Sequence, residues 1–285
     1  MSVQNFIPTI WSARLNESFK KNLVYGNVVN HDYEGEIKGQ GSTVKINSIG
    51  AVTIGNYDKS KGIGNYDKSK GIGNPEELDS TQKNLVIDQA KYFNFQVDDV
   101  DKAQANVNLL DGGIVEASCG LANVVDQYIA GFYTEVKSGN TNGDDTTPIV
   151  PTKDTAYDLL VDLGVILDEN DVPEGDRFVV VPAWYYGLLV KDPRYTKDAN
   201  VMRTGFVGNI DNMAVYKSNN APHTAGAKYK IIAGHKSAIS FAGQVDSVEA
   251  YRPEKQFSDA LKGLQVFGAK CIKPEALAVL TANKS

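Results

Sequence analysis

Arginine, cysteine and histidine are all scarce in this chain of 285 residues, and each shortage removes a class of chemistry. The five arginines, Arg14, Arg177, Arg194, Arg203 and Arg252, form no cluster, and 29 basic residues against 35 acidic ones leave a net charge of −6. Neutralising a nucleic-acid backbone needs the opposite balance, so any contact with a genome is expected to be weak or local. Cys119 and Cys271 lie far apart among apolar or small residues, which reads as two buried thiols in a reducing compartment. The three histidines, His31, His223 and His235, have no Cys, Asp or Glu at metal-ligand spacing. No run approaches ~18 consecutive apolar residues, and the first residues lack the basic and apolar parts of a leader, so a soluble, non-secreted protein without a membrane partner is expected.

Catalytic motifs are equally thin. There is no Gly-x-Ser-x-Gly elbow, and Ser118-Cys119-Gly120 falls inside a helical period where a nucleophile would be buried. Asp168, Glu169, Asp171 and Glu174 form an acidic run of the kind that usually makes a solvated face. No catalytic, cofactor-binding or metal-binding residue is assigned, no cofactor is expected, and an enzyme is not the expectation.

What is present is a globular composition, 42% hydrophobic and 22% charged, in a chain long enough for one large domain or two ordinary ones. Trp11, Leu15, Phe19 and Leu23 recur every fourth residue, the stripe of a helix of about three turns. A stripe so narrow cannot form a core of its own. It belongs either to an edge helix of the chain's core or to an arm lying on a neighbouring subunit, and the four residues are candidate subunit contacts.

Residues 32–53 are punctuated by glycine, and Val44 and Ile46 alternate with polar neighbours as in a strand. Residues 54–62 then read IGNYDKSKG, residues 63–71 repeat them without change, and a third copy begins at Ile72 and breaks at Pro75. Each copy has one aspartate and two lysines, which does not suit a calcium-binding nonapeptide, and Asp58 stands where a phosphate cradle needs glycine. A tandem duplication in a tolerant loop is the simpler account, because closure entropy grows only logarithmically with length. Such a loop must be exposed, and Tyr57, Lys59, Tyr66 and Lys68 join the candidate subunit contacts.

The run Leu85, Ile87, Tyr92, Phe93 and Phe95 is strand-like. From Asp98 the period turns helical, through Val100, Ala103, Val107, Leu110, Ile114, Ala117, Leu121, Val124, Tyr128 and Phe132, and predicts a helix of up to about 35 residues. Gly112 and Gly113 near its centre mark a kink, a break or the close approach of another backbone. Asn140, Asn142, Asp144 and Asp145 resemble a cation loop, but turn chemistry asks for the same residues and is preferred. Beyond them the text alternates: a helix over 155–166, a buried strand at 178–181, a helix from Pro182 to Leu189, a hairpin at 207–216, and strands at 228–232, 238–241, 248–251, 263–271 and 276–280. Together they predict an α+β protein.

Several stretches, in this order and spacing, resemble one family: residues 39–46 (GQGSTVKI), 176–182 (DRFVVVP) with the following helix, 205–222 (GFVGNIDNMAVYKSNNAP), 234–242 (GHKSAISFA) and 269–278 (AKCIKPEALA). The family is that of tailed-bacteriophage major capsid (coat) proteins. The resemblance implies an N-terminal arm (1–31), an extended β loop (32–84), a peripheral domain with a long spine helix (85–138 and 244–285), and an axial domain (139–243). The perfect nonapeptide duplication is not part of the family pattern. The implied function is self-assembly, as hexamers and pentamers, into an icosahedral virion shell enclosing double-stranded DNA without reading its sequence. Assembly would take place in the host cytoplasm, with scaffolding, portal or decoration proteins as further partners. A nanocompartment shell protein of the same fold is the alternative within this class. A soluble ligand-binding or adhesion module, which would use the 14 tyrosines for recognition, is the alternative outside it.

Overall fold

The computed structural model describes residues 15, 19, 23–33, 41–49, 57–58, 62–63, 80–98, 109–192, 194, 206–254 and 257–284. The first described strands are β1 (Thr43–Ile49), β2 (Tyr57–Asp58), β3 (Gly62–Ile63), β4 (Ser80–Val86) and β5 (Gln89–Asp98), followed by helix α1 (Leu109–Ala130) and the short strand β6 (Thr141–Asn142). Helix α2 (Ala156–Glu169), strand β7 (Arg177–Val181) and helix α3 (Ala183–Leu189) come next. The remainder is β8 (Phe206–Ile210), β9 (Met213–Lys217), β10 (His223–Thr224), β11 (Ala227–His235), β12 (Ile239–Tyr251), β13 (Ser258–Cys271) and β14 (Leu277–Ala282).

Two sheets carry the body. The first is antiparallel, in the order β12-β13-β5, and alternation along it makes two unlike faces. One face holds Phe93, Phe95, Phe241 and Phe267 and is covered by α1, whose Ile114, Leu121, Ala122, Val125 and Ile129 are buried. Two glycines make this approach possible. A Cβ on Gly113 of α1 would stand 2.5 Å from the Phe95 ring, and one on Gly263 of β13 would stand 2.5 Å from the ring of Phe93, its cross-strand partner. Among the described residues nothing lies within 4 Å of a Cβ built on Gly112, so of the two adjacent glycines it is Gly113 that is closely packed there. Asp98, where the helical period of the sequence begins, is the last residue of β5, residues 99–108 of the expected helix lie outside the described residues, and α1 tightens into a 3₁₀ turn over Gly131–Glu135.

The opposite face is covered over half its length by the antiparallel pair β1–β4. Val44, Ile46, Leu85 and Ile87 from that pair enclose a small second core with Ala242 and Val266. Lys83 fastens it by donating from Nζ to the Ile272 carbonyl at 2.6 Å. Gly268 lies beneath the chain as it leaves β4, since a Cβ there would be 2.2 Å from the Val86 carbonyl oxygen.

The second sheet has seven strands among the described residues, in the order β6-β14-β11-β7-β9-β8, with β10 on β11. Its β7 is buried at all five positions, as expected for the continuous apolar text Phe-Val-Val-Val at the middle of a sheet. Helix α2 buries Leu160, Leu163, Gly164 and Leu167, and Pro182 caps α3 as its sequence predicts. The β8–β9 hairpin turns at Asp211-Asn212, both at positive φ as a two-residue turn of the primed type requires. The first sheet's strand β12 runs unbroken through the expected 243/244 boundary, and β14, expected with the peripheral part, is hydrogen-bonded into the second sheet between β6 and β11. One hydrophobic cluster accordingly runs from α1 through both sheets.

Candidate assembly surfaces

The eight residues singled out from sequence fall into three groups. Leu15, Phe19 and Leu23 are buried, at 0%, 7% and 2% exposure, in the same cluster as Ile114 and Phe241. Their stripe faces the chain's own core, the first of the two places open to it from sequence: a narrow stripe suffices when α1 and β12 supply the rest of the apolar surface. Tyr57 opens a short antiparallel ladder in which it pairs with Ile63 and Asp58 pairs with Gly62. The second strand of this ladder, Gly62–Ile63, spans the junction of the two copies. Trp11, Lys59, Tyr66 and Lys68 lie outside the described residues.

The surface residues that sequence reading missed are apolar ones at exposed positions. Tyr92 is 78% exposed and Phe257 86% exposed. Tyr92 lies on the half of the first sheet that β1–β4 leaves uncovered, beside Asn94, Lys262, Glu249 and Tyr251. There Lys262 pairs with Glu249 at 2.8 Å and lies 5.5 Å from the Tyr251 ring centre, while the Tyr251 hydroxyl donates to Asn94 at 3.2 Å. The run Tyr92-Phe93-Asn94-Phe95 hid this, because alternation sends Tyr92 outward and both phenylalanines inward, and the sequence alone does not say which face is covered. On α1 the exposed apolar residues are Val115 and Val124. A buried group was missed as well: Asp126 is 0% exposed on the core side of α1, one helical turn from Ala122 and Ile129, and a carboxylate inside an apolar stripe was the signal.

The loop that resembles a cation site is committed to protein partners. Asp144 accepts from the Thr146 and Thr147 amides at 2.7 and 2.6 Å, bonds that hold its carboxyl below the usual carboxylate range. Asp145 pairs with the buried Lys230 at 2.8 Å, and Asn140 donates to the Glu275 and Leu277 carbonyls. Part of the acidic run is likewise structural: the buried Arg177 reaches Asp168 at 2.7 Å and donates to the Pro173 and Val172 carbonyls. Burial pushes the Cys271 thiol up to about 11, which keeps it protonated and unreactive at neutral pH. Among the described residues no helix is long and apolar enough to cross a membrane.

Comparison with known proteins follows this geometry closely. A family model described as "Phage capsid protein" matches residues 82–280, a span that includes α1, α2 and α3 and nearly all of both sheets. A structure from Mycobacterium phage Che8 is similar at 29% identity and a TM-score of 0.68, covering 90% of each chain. The capsid of cyanophage P-SCSP1u is similar at 15% identity and a TM-score of 0.64, over 90% of this chain and 86% of that one. A virus-like particle from Pyrococcus furiosus shares the fold at 12% identity and a TM-score of 0.57, over 96% and 99% of the two chains. Among curated protein sequences nothing matches. With a mixed α+β body and a family match over more than half its length, this chain belongs to the phage capsid protein family.

Proposed function

We propose that this protein is the major capsid protein of a tailed phage and that it self-assembles into the icosahedral shell around the double-stranded DNA genome. The family match over residues 82–280 carries this reading. The four-part division belongs to the proposal too: residues up to 31 as an N-terminal segment, β1–β4 as the root of an extended loop, α1 with the first sheet as the peripheral part, and the seven-stranded sheet as the axial part. The β1–β4 ladder is still paired at Ile49 and Ser80, which supports residues 50–79 as the extended loop between the two strands. Tyr57, Lys59, Tyr66 and Lys68 on this loop, and Trp11 upstream, are the proposed contacts to neighbouring subunits in hexamers and pentamers.

Many weak contacts, repeated by symmetry, stabilise a closed shell even when each alone is weak. A net charge of −6 suits a container that holds DNA without condensing it by charge. Assembly is placed in the host cytoplasm, and scaffolding, portal or decoration proteins are natural further partners. The likeness to the Pyrococcus furiosus particle supports the fold alone, whereas the family match favours a virion over a nanocompartment. Negative-stain electron microscopy of the purified protein is expected to show closed particles or capsomer rings. A strict monomer at every concentration and ionic strength would overturn the proposal.

A further inference from the structure

The buried Asp126 joins three parts of the chain. The backbone N–H groups of Val24 and Gly26 donate to its two carboxylate oxygens at 2.9 and 3.0 Å, and the Tyr25 amide adds to them. From the loop after β9, the Asn220 side chain also bonds it and reaches Asn123 on α1 at 3.0 Å. The N-terminal segment is fixed again a few residues on, where Asn30 exchanges backbone bonds with Ile239 and Phe241 of β12. Two titratable side chains of that segment face the junction. Tyr25 is buried with no hydrogen-bond partner for its phenol oxygen among the described residues, and burial first, then the charge of Asp126, pushes its ionisation far above the ordinary range. His31 meets the Gly26 carbonyl through Nε2 and lies edge-on to Phe241. α1 and the β9 loop contribute the neutral Asn123 and Asn220.

We propose that Asp126 is a pH-sensitive latch that fastens the N-terminal segment to α1 and closes more tightly when its carboxyl takes up a proton. Burial disfavours the charged form and raises this carboxyl to about 6, although the amide bonds pull the other way. Lifting the segment exposes the group to water and returns it to an ordinary value of about 4. The closed state therefore binds the proton more strongly than the open one. The added hold is complete below about pH 4 and is lost as pH rises through about 6, so at neutral pH the latch is in its weaker, ionised form. Between pH 7 and pH 5 the preference for the closed state grows about tenfold. A protonated carboxyl keeps acceptor capacity for the amides and gains a donor.

Amide hydrogen exchange on the full chain tests this, read as protection factors at Val24 and Gly26 at pH 7 and pH 5. Protection in the unmodified protein is expected to rise about tenfold at the lower pH. Asp126→Asn, which keeps an acceptor and cannot titrate, should abolish the rise, and His31→Gln should leave it. A rise that survives Asp126→Asn, disappears in His31→Gln, or is equally large at the amides of β11 would overturn the latch, the last because it would report global unfolding. Carbon-13 titration of the Asp126 carboxyl in the unmodified protein decides the matter if the Asn variant does not fold: a midpoint near 6 is expected, and one near 4 would overturn it.

Discussion

Gly112 and Gly113 are adjacent in sequence and unequal in the fold. Residue 113 lies over the Phe95 ring, where a methyl group would stand 2.5 Å from an aromatic carbon, while residue 112 meets nothing within 4 Å among the described residues. Gly113→Ala is expected to cost on the order of 1–3 kcal/mol through overpacking, against its better helix propensity. Gly112→Ala should instead gain up to about 1 kcal/mol. Denaturant midpoints of the two variants check this, and equal shifts would show that Phe95 moves aside freely. The pair was visible in the sequence as the mark of a kink, a break or the close approach of another backbone, but the ring over Gly113 was not, because it belongs to β5. Asp126 illustrates the same limit: its position on an apolar stripe can be read locally, but the amides that receive it lie about a hundred residues earlier.

Elements that follow from a local period were legible, and those that depend on a distant partner were not. Helix α2, strand β7 and the β8–β9 turn follow from apolar spacing and turn residues within a few positions of each other. The N-terminal stripe was equally readable as a helix, yet its destination is set by α1 and β12. With Leu15 and Phe19 inside the main cluster, Leu15→Ala and Phe19→Ala should each lower subunit stability by about 2–5 kcal/mol, as measured by thermal or urea unfolding of unassembled protein. A loss of assembly without a loss of subunit stability would return these residues to an interface. The duplicated nonapeptide predicts the reverse pattern. Deleting residues 63–71 places Ile72 directly after Gly62, so Tyr57 keeps an isoleucine at the same sequence distance and the β1–β4 ladder is untouched. The melting temperature of the subunit should stay the same while particle stability or size changes, because the shortened loop reaches less far. A large loss in the isolated subunit would show that the second copy is packed structure.

At the scale of the molecule, the two sheets are not independent bodies. Strand β12 is continuous across the expected boundary, α1 and the N-terminal stripe share one cluster with the seven-stranded sheet, and the late strand β14 pairs with β6 on one side and β11 on the other. Pairings over such separations make for slow folding, since the entropy of closing the chain must be met before the contacts that reward it form. The place of β14 has a consequence during translation. Until residues 277–282 have left the ribosome, β6 and β11 lack their common neighbour. A chain truncated before Leu277 is therefore expected to leave the second sheet open between β6 and β11 and to stay out of particles.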